Sequence, residues 1–173
     1  MTISEAYLAQ QKTLHKNPDY GVASGAYAPL VARIIEANGI TSIADYGAGK
    51  CVLRKKLNEM GKSHLAYHPY DPSFPEYGEP KRAEMVCCID VLEHIEPEYL
   101  SEVIAELHSI TGKVGLFTIH TGPAGKVLAD GRNAHLIQKP ASWWLPQLCE
   151  RFEIARLERA QGGFWIIVEP LAA

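Results

Sequence analysis

Short apolar runs and segments of helical period follow one another along most of this chain, and that alternation limits its fold more than any other feature. The runs TSIADY (41–46), HLAYHPYD (64–71), AEMVCCID (83–90) and KVGLFTIH (113–120) read as strands. SGAYAPLVARIIEANG (24–39) places Tyr27, Leu30, Val31, Ile34 and Ile35 at helical spacing, with Gly39 as its stop. KCVLRKKLNEMGK (50–62) puts Val52, Leu53, Leu57 and Met60 on one face. EPEYLSEVIAELHSITG (96–112) opens a helix with Pro97 and ends it at Gly112. Residues 3–16 predict a further helix, broken by NPDYG at 17–21, and PASWWLPQL (140–148) a short one opened near Ser142. FEIARLER (152–159) and GGFWIIVEP (162–170) close the chain as a hairpin turning at Gln161–Gly163. This order predicts an α/β fold, with a mostly parallel sheet covered on both faces and one antiparallel strand at its C-terminal end.

At 173 residues, the chain fits one domain (1–173), with residues 1–23 as an N-terminal helix or lid. No apolar stretch approaches the roughly 20 residues that span a bilayer, and the N-terminus lacks a basic-then-apolar export pattern. The four cysteines include no C-x-x-C pair, so buried thiols in the reducing cytoplasm are expected. A net charge of -3 argues against a broad nucleic-acid footprint. The basic cluster Lys50, Arg54, Lys55 and Lys56 reads as a solvated helix face. No metal is expected, because the seven histidines never pair at i, i+4 beside an acid on one helix.

In parallel sheets, ligands bind beyond the carboxyl ends of the strands. Four polar turns fall there: Asp45–Gly49, Asp71, Asp90–His94 and His120–Pro123. Gly47 and Gly49 remove side chains where backbone passes close to a ligand, and the helix after them offers free N–H groups. Asp71 has the acceptors to hold a ribose diol, and it follows the glycine turn at nucleoside-fold spacing. The third position of G-x-G-x-x-G is missing, which disfavours a pyrophosphate-binding dehydrogenase.

ADYGAGKC (44–51) resembles the D/E-x-G-x-G-x-G turn of class I S-adenosylmethionine-dependent methyltransferases, and CCIDVLEHIEP (87–97) their D-V-L-E-H signature. The resemblance covers residues 24–120 and, in general form, the hairpin. It implies a Rossmann-like three-layer sandwich that binds S-adenosylmethionine and releases S-adenosylhomocysteine. In the family's labels its strand order is 2-1-4-5-7-6, because only about a dozen irregular residues separate Asp71 from the next strand. By the same resemblance Gly47 and Gly49 admit the methionine half of the cofactor. Asp45 orients the turn near the cofactor's amino group, Asp71 holds the ribose, Phe74 covers the adenine, and Asp90 and Glu93 border methionine and acceptor. Cys51 departs from the pattern at a position where a third glycine is common. The usual acidic contact to adenine is lost with the missing strand, and Ser73 or Arg82 are candidate replacements.

The loop at 120–144 is dense in polar residues for a glycine-containing stretch, as functional loops often are. His94, His120 and His135 are candidate bases, although in-line methyl transfer requires placement above all. Arg132 and Lys139, with Asn133, are candidate acceptor contacts and hint at an anionic acceptor. Tyr20 is a candidate cover over the cofactor. Trp143 and Trp144 read as one inside and one at the rim of their helix. The expected activity is methyl transfer to oxygen or nitrogen of a small or medium molecule. The rivals are a non-catalytic module that keeps the fold as a scaffold, and a nucleotide or nucleic-acid methyltransferase. The second lacks an N-P-P-Y-type tetrapeptide for base flipping.

Overall fold

The computed structural model describes residues 2–172. β1 (Ser42–Tyr46), β2 (Ala66–Tyr70), β3 (Ala83–Ile89), β4 (Thr111–His120), β5 (Phe152–Ala160) and β6 (Gly163–Pro170) form one sheet. Its order is β2-β1-β3-β4-β6-β5. The strands from β2 to β4 pair in parallel, and β6 runs antiparallel to both β4 and β5. When the absent third strand of the larger fold is skipped in the labels, this order reads 2-1-4-5-7-6. A single 3-10 turn, Pro75–Tyr77, occupies the stretch between β2 and β3, so β2 forms the rim of the sheet.

The helices α2 (Ser24–Asn38) and α3 (Val52–Glu59) cover one face, and α4 (Leu100–Ile110) and α5 (Ala141–Cys149) the other. Side chains along β3 alternate between the two cores, as a pleated strand requires. Met85, Cys87 and Ile89 join Val31, Ile35, Leu53 and Leu57 on one side. Val86 and Cys88 join Leu107, Trp144 and Phe152 on the other. Burial on both faces explains why β3 reads as a continuous apolar run. On α5, Trp144 is fully buried and Trp143 is 36% exposed, so the pair does divide between core and rim.

Several boundaries differ from the sequence reading, each for a local reason. α3 begins at Val52 because Cys51 adopts a left-handed conformation (φ 53°). α4 ends at Ile110 and Gly112 lies inside β4, where a Cβ would sit 2.7 Å from the Ala83 carbonyl oxygen. That glycine permits close strand approach rather than stopping a helix. Pro140, not Ser142, is the N-cap of α5, and no side chain caps it.

The N-terminal helix α1 (Glu5–Leu14) packs against neither main core. With Tyr7, it forms a third small core on the 120–140 loop through Leu128 and Ala134, bordered by Ile3, Leu14 and Leu136. Ser4 caps α1 by accepting the Tyr7 N–H and also donates twice to the Glu96 carboxylate. The helix thereby lies across the carboxyl ends of the strands.

Candidate active site

Under α1, a cavity of about 430 Å³ opens at the carboxyl ends of β1, β3 and β4. One side is built from the glycine turn. Gly47 has φ 78°, and a Cβ there would overlap Val91 Cγ2, so this position needs glycine for both conformation and space. Asp71, just beyond β2, accepts the Gly49 N–H at 3.0 Å and the Ser73 N–H at 2.8 Å. His15 Nε2 stands 3.9 Å from the same carboxylate. Burial is the main cause that lowers the His15 pKa, with Lys50 adding to it and Asp71 opposing. Lys50 is no free surface cation. Its ammonium donates to the carbonyls of Asn17 and Tyr20 and holds residues 17–20 against the turn.

The other side carries Asp90, His94, His120 and His135, all lining the cavity. Asp90 follows β3 in a left-handed conformation (φ 60°), with its N–H donated to Thr118 Oγ1 at 2.9 Å. Asp is among the residues that tolerate this region, and here it turns the chain out of the sheet. His94 Nδ1 lies 2.8 Å from the Ala134 carbonyl and His135 Nδ1 2.7 Å from the Gly122 carbonyl. A carbonyl only accepts, so both rings donate from Nδ1, and Nε2 is the nitrogen left without a backbone partner. Burial, with His135 nearby, lowers the His94 pKa to about 4 against the pull of Asp90. His120 lies against the hairpin, where a Cβ on Gly162 would overlap its ring, and its Nδ1 has no hydrogen-bond partner among the described residues.

Asp45, Gly49, Phe74 and Glu93 lie outside the cavity lining. Asp45 is buried on the α2/α3 side, where its carboxylate accepts the Tyr67 hydroxyl. Burial pushes its pKa up to about 7, with Asp71 adding to the rise. Gly49 is covered by His15 and the Gly21 carbonyl. Phe74 stacks on Tyr77 and meets His15 edge-on. Glu93 is fully buried and accepts the His120 N–H at 2.5 Å, so it shapes the wall from behind. Burial first, then the neighbouring Asp90, raises its pKa well above the usual range.

The candidate acceptor contacts Arg132, Asn133 and Lys139 also lie outside the lining. Arg132 is tied to Asp130 by three hydrogen bonds at the exposed end of the loop. Asn133 braces that loop, bonding Ala124 at both N and O and accepting the His135 N–H. Lys139 is exposed and outside the lining. Arg82 donates to the Ser109 carbonyl and is also outside it, whereas Ser73 lines the cavity. The cation that does reach the cavity is Lys126, with its ammonium 5.9 Å from the Tyr20 ring centroid.

Tyr20, the one N-terminal candidate, lines the cavity and starts a chain of hydrogen bonds across it. Its hydroxyl donates to Gln11 Oε1, Gln11 Nε2 donates to Tyr7 Oη, and the Tyr7 hydroxyl donates to the His94 carbonyl. Tyr7, Gln11, His15 and Lys126 are among the lining residues that the sequence reading did not single out. The only signal for them was helical spacing in residues 3–16 and polar density in the later loop.

No protein-family model and no curated protein sequence matches the chain. Solved structures do. The 1,6-didemethyltoxoflavin-N1-methyltransferase of Burkholderia thailandensis, with bound 1,6-didemethyltoxoflavin and S-adenosylhomocysteine, superposes at a TM-score of 0.68. The two are 15% identical, over 99% of this chain and 92% of that one. The N-methyltransferase NodS of Bradyrhizobium japonicum, in complex with S-adenosylhomocysteine, gives 0.58 at 9% identity, over 96% of this chain and 99% of its own. TnmH gives 0.61 at 13% identity over 86% of this chain, which spans 55% of TnmH's length. The chain therefore has the Rossmann-like fold of these solved structures, two of which hold S-adenosylhomocysteine.

Proposed function

We propose that this chain is an S-adenosylmethionine-dependent methyltransferase that acts on an oxygen or nitrogen of a small acceptor. The observation that carries the reading is one cavity lined by Gly47 and Asp71 at one end and by three histidines at the other. Its volume, about 430 Å³, lies within the range of small-molecule sites. Gly47 supplies a floor that a Cβ would fill. Asp71 spends two of its roughly four acceptor positions on backbone N–H groups and keeps capacity for a vicinal diol. Pro72 and Ser73 continue that wall. Solved structures of the same fold that hold S-adenosylhomocysteine support the choice of cofactor.

When bound, the cofactor supplies a sulfonium methyl group that an in-line nucleophile displaces. The chain's own part is to position and deprotonate. His120 lines the same end of the cavity and is the proposed proton acceptor. His94 and His135, locked by their Nδ1 hydrogen bonds, present Nε2 lone pairs toward the acceptor. Lys126 places positive charge on the same cavity and suits an anionic group on the acceptor. α1 contributes Tyr7 and Gln11 to the cavity wall.

Titration calorimetry with S-adenosylhomocysteine tests the reading. Binding is expected, and Asp71→Asn is expected to weaken it about tenfold or more, the scale of hydrogen bonds to a charged group. A chain that keeps the fold only as a scaffold releases no heat with either S-adenosylhomocysteine or S-adenosylmethionine, and that result overturns the proposal.

A further inference from the structure

We propose that Asp90, His94 and His135 form a divalent transition-metal site at the acceptor end of the cavity, and that the acceptor is a hydroxylated molecule whose oxygen the ion binds. The proposal rests on the methyltransferase reading for its chemistry, but the site stands on its own geometry. One ligand atom from each of the three residues lies within 4.8 Å of the other two. Metal–nitrogen and metal–oxygen bonds of about 2.0–2.2 Å place ligands closer than that, so closing on an ion takes side-chain adjustments of about an ångström.

A second observation points to a ligand independently of the clustering. Both imidazoles donate Nδ1–H to a backbone carbonyl, Ala134 for His94 and Gly122 for His135. That arrangement fixes the ring, sets the tautomer and leaves Nε2 as a lone-pair donor, which is how metal-ligating histidines are held. The Asp90 backbone is held by its left-handed conformation and its N–H bond to Thr118, and its carboxyl group meets that of Glu93. Two imidazole nitrogens and one carboxylate oxygen suit zinc, manganese or iron better than calcium or magnesium. All three residues line the cavity, so the remaining coordination positions face it.

The chemistry follows from that opening. A hydroxyl oxygen bound to the ion becomes more acidic, and its proton passes to the His120 imidazole in the same cavity wall. The oxygen's electron pair forms the new bond to the methyl carbon. The carbon–sulfur bond breaks with its pair remaining on sulfur, and the sulfonium becomes a neutral thioether. The ion keeps its oxidation state throughout, so no oxidant or reductant is needed.

The test uses the full chain, stripped with a chelator and titrated with Co²⁺, whose visible absorption reports nitrogen and oxygen ligation. One equivalent is expected to bind and to be displaced by Zn²⁺. Asp90→Asn and His135→Ala are each expected to weaken Co²⁺ at least about tenfold, a loss seen even for groups that only orient a ligand. Cooperative thermal unfolding of both variants is measured alongside, so that a loss of Co²⁺ is read from folded chains. Failure to take up Co²⁺, or uptake that neither substitution changes, overturns the site. A chain that binds S-adenosylhomocysteine but no Co²⁺ loses only the metal inference. A chain that binds Co²⁺ through these residues but no S-adenosylhomocysteine keeps the metal site and loses the methyltransferase reading with its acceptor chemistry.

Discussion

Lys126 and Arg132 stand six residues apart in one loop and have opposite surroundings. Arg132 closes on Asp130 and holds that carboxyl's pKa well below its usual value, so its charge is spent locally. Lys126 turns inward over Tyr20 and lines the cavity. For an anionic acceptor, Lys126→Ala is expected to raise the Michaelis constant about tenfold or more, as loss of a charge-assisted hydrogen bond does. Arg132→Ala should leave it within about twofold, in keeping with an exposed ion pair. Steady-state kinetics of the two variants with the same acceptor decide the matter, and equal effects would refute the assignment. Sequence alone cannot separate the two, because both are basic residues in a polar loop and only the fold of residues 126–134 turns one in. Cys51 is a different case. Its left-handed backbone explains why the glycine pattern favours a third glycine there, so the departure seen in sequence sits on a position with a real conformational demand.

Among the elements, α1 joins the most distant parts of the chain. It bonds Glu96 through Ser4, the His94 carbonyl through Tyr7, and Asp130 through Gln10. Tyr7→Phe removes the hydroxyl that bonds His94 and leaves the Gln11 amide without its acceptor. Each such loss costs about 1 kcal/mol. Amide exchange in α1 is therefore expected to quicken by about thirtyfold, while the central strands keep their protection. Uniform exchange across the sheet, or none at all, would show that the contact does not fasten the helix. The helix itself is legible in residues 3–16 from its apolar spacing, but its docking is not, because Tyr7 and its partner lie 87 residues apart. The same limit hides the triad of Asp90, His94 and His135. Asp90 and His94 belong to one motif, whereas His135 arrives through a loop whose path depends on packing with Leu128 and Ala134. Strands and helices were readable because periodicity is local. Gly112 misled because a glycine that admits a neighbouring strand looks the same in sequence as one that ends a helix.

At the scale of the whole molecule, Asp45 links stability to pH. Burial raises its pKa from the ordinary carboxyl value to about 7, so the folded chain holds a proton that the unfolded chain releases near pH 4. Its contribution is complete below pH 4 and is lost as pH rises toward 7. Chemical denaturation should therefore give stability that falls across pH 4–7, with a slope from this group of at most about 1.4 kcal/mol per pH unit. Asp45→Asn keeps an acceptor for the Tyr67 hydroxyl and should flatten that slope, and an unchanged slope would exclude Asp45 as its source. The two cores, the sheet order and the cavity at the strand ends all agree with the sequence reading, since two-sided apolar strands and glycine turns admit few alternatives. Omitting the usual third strand leaves β2 with an unpaired side, the kind of margin at which chains recruit one another into intermolecular sheets. β2 is only five residues long, and Pro69 within it has no N–H to offer an incoming strand. A poor template for aggregation is thus already built into the strand that the truncation exposes.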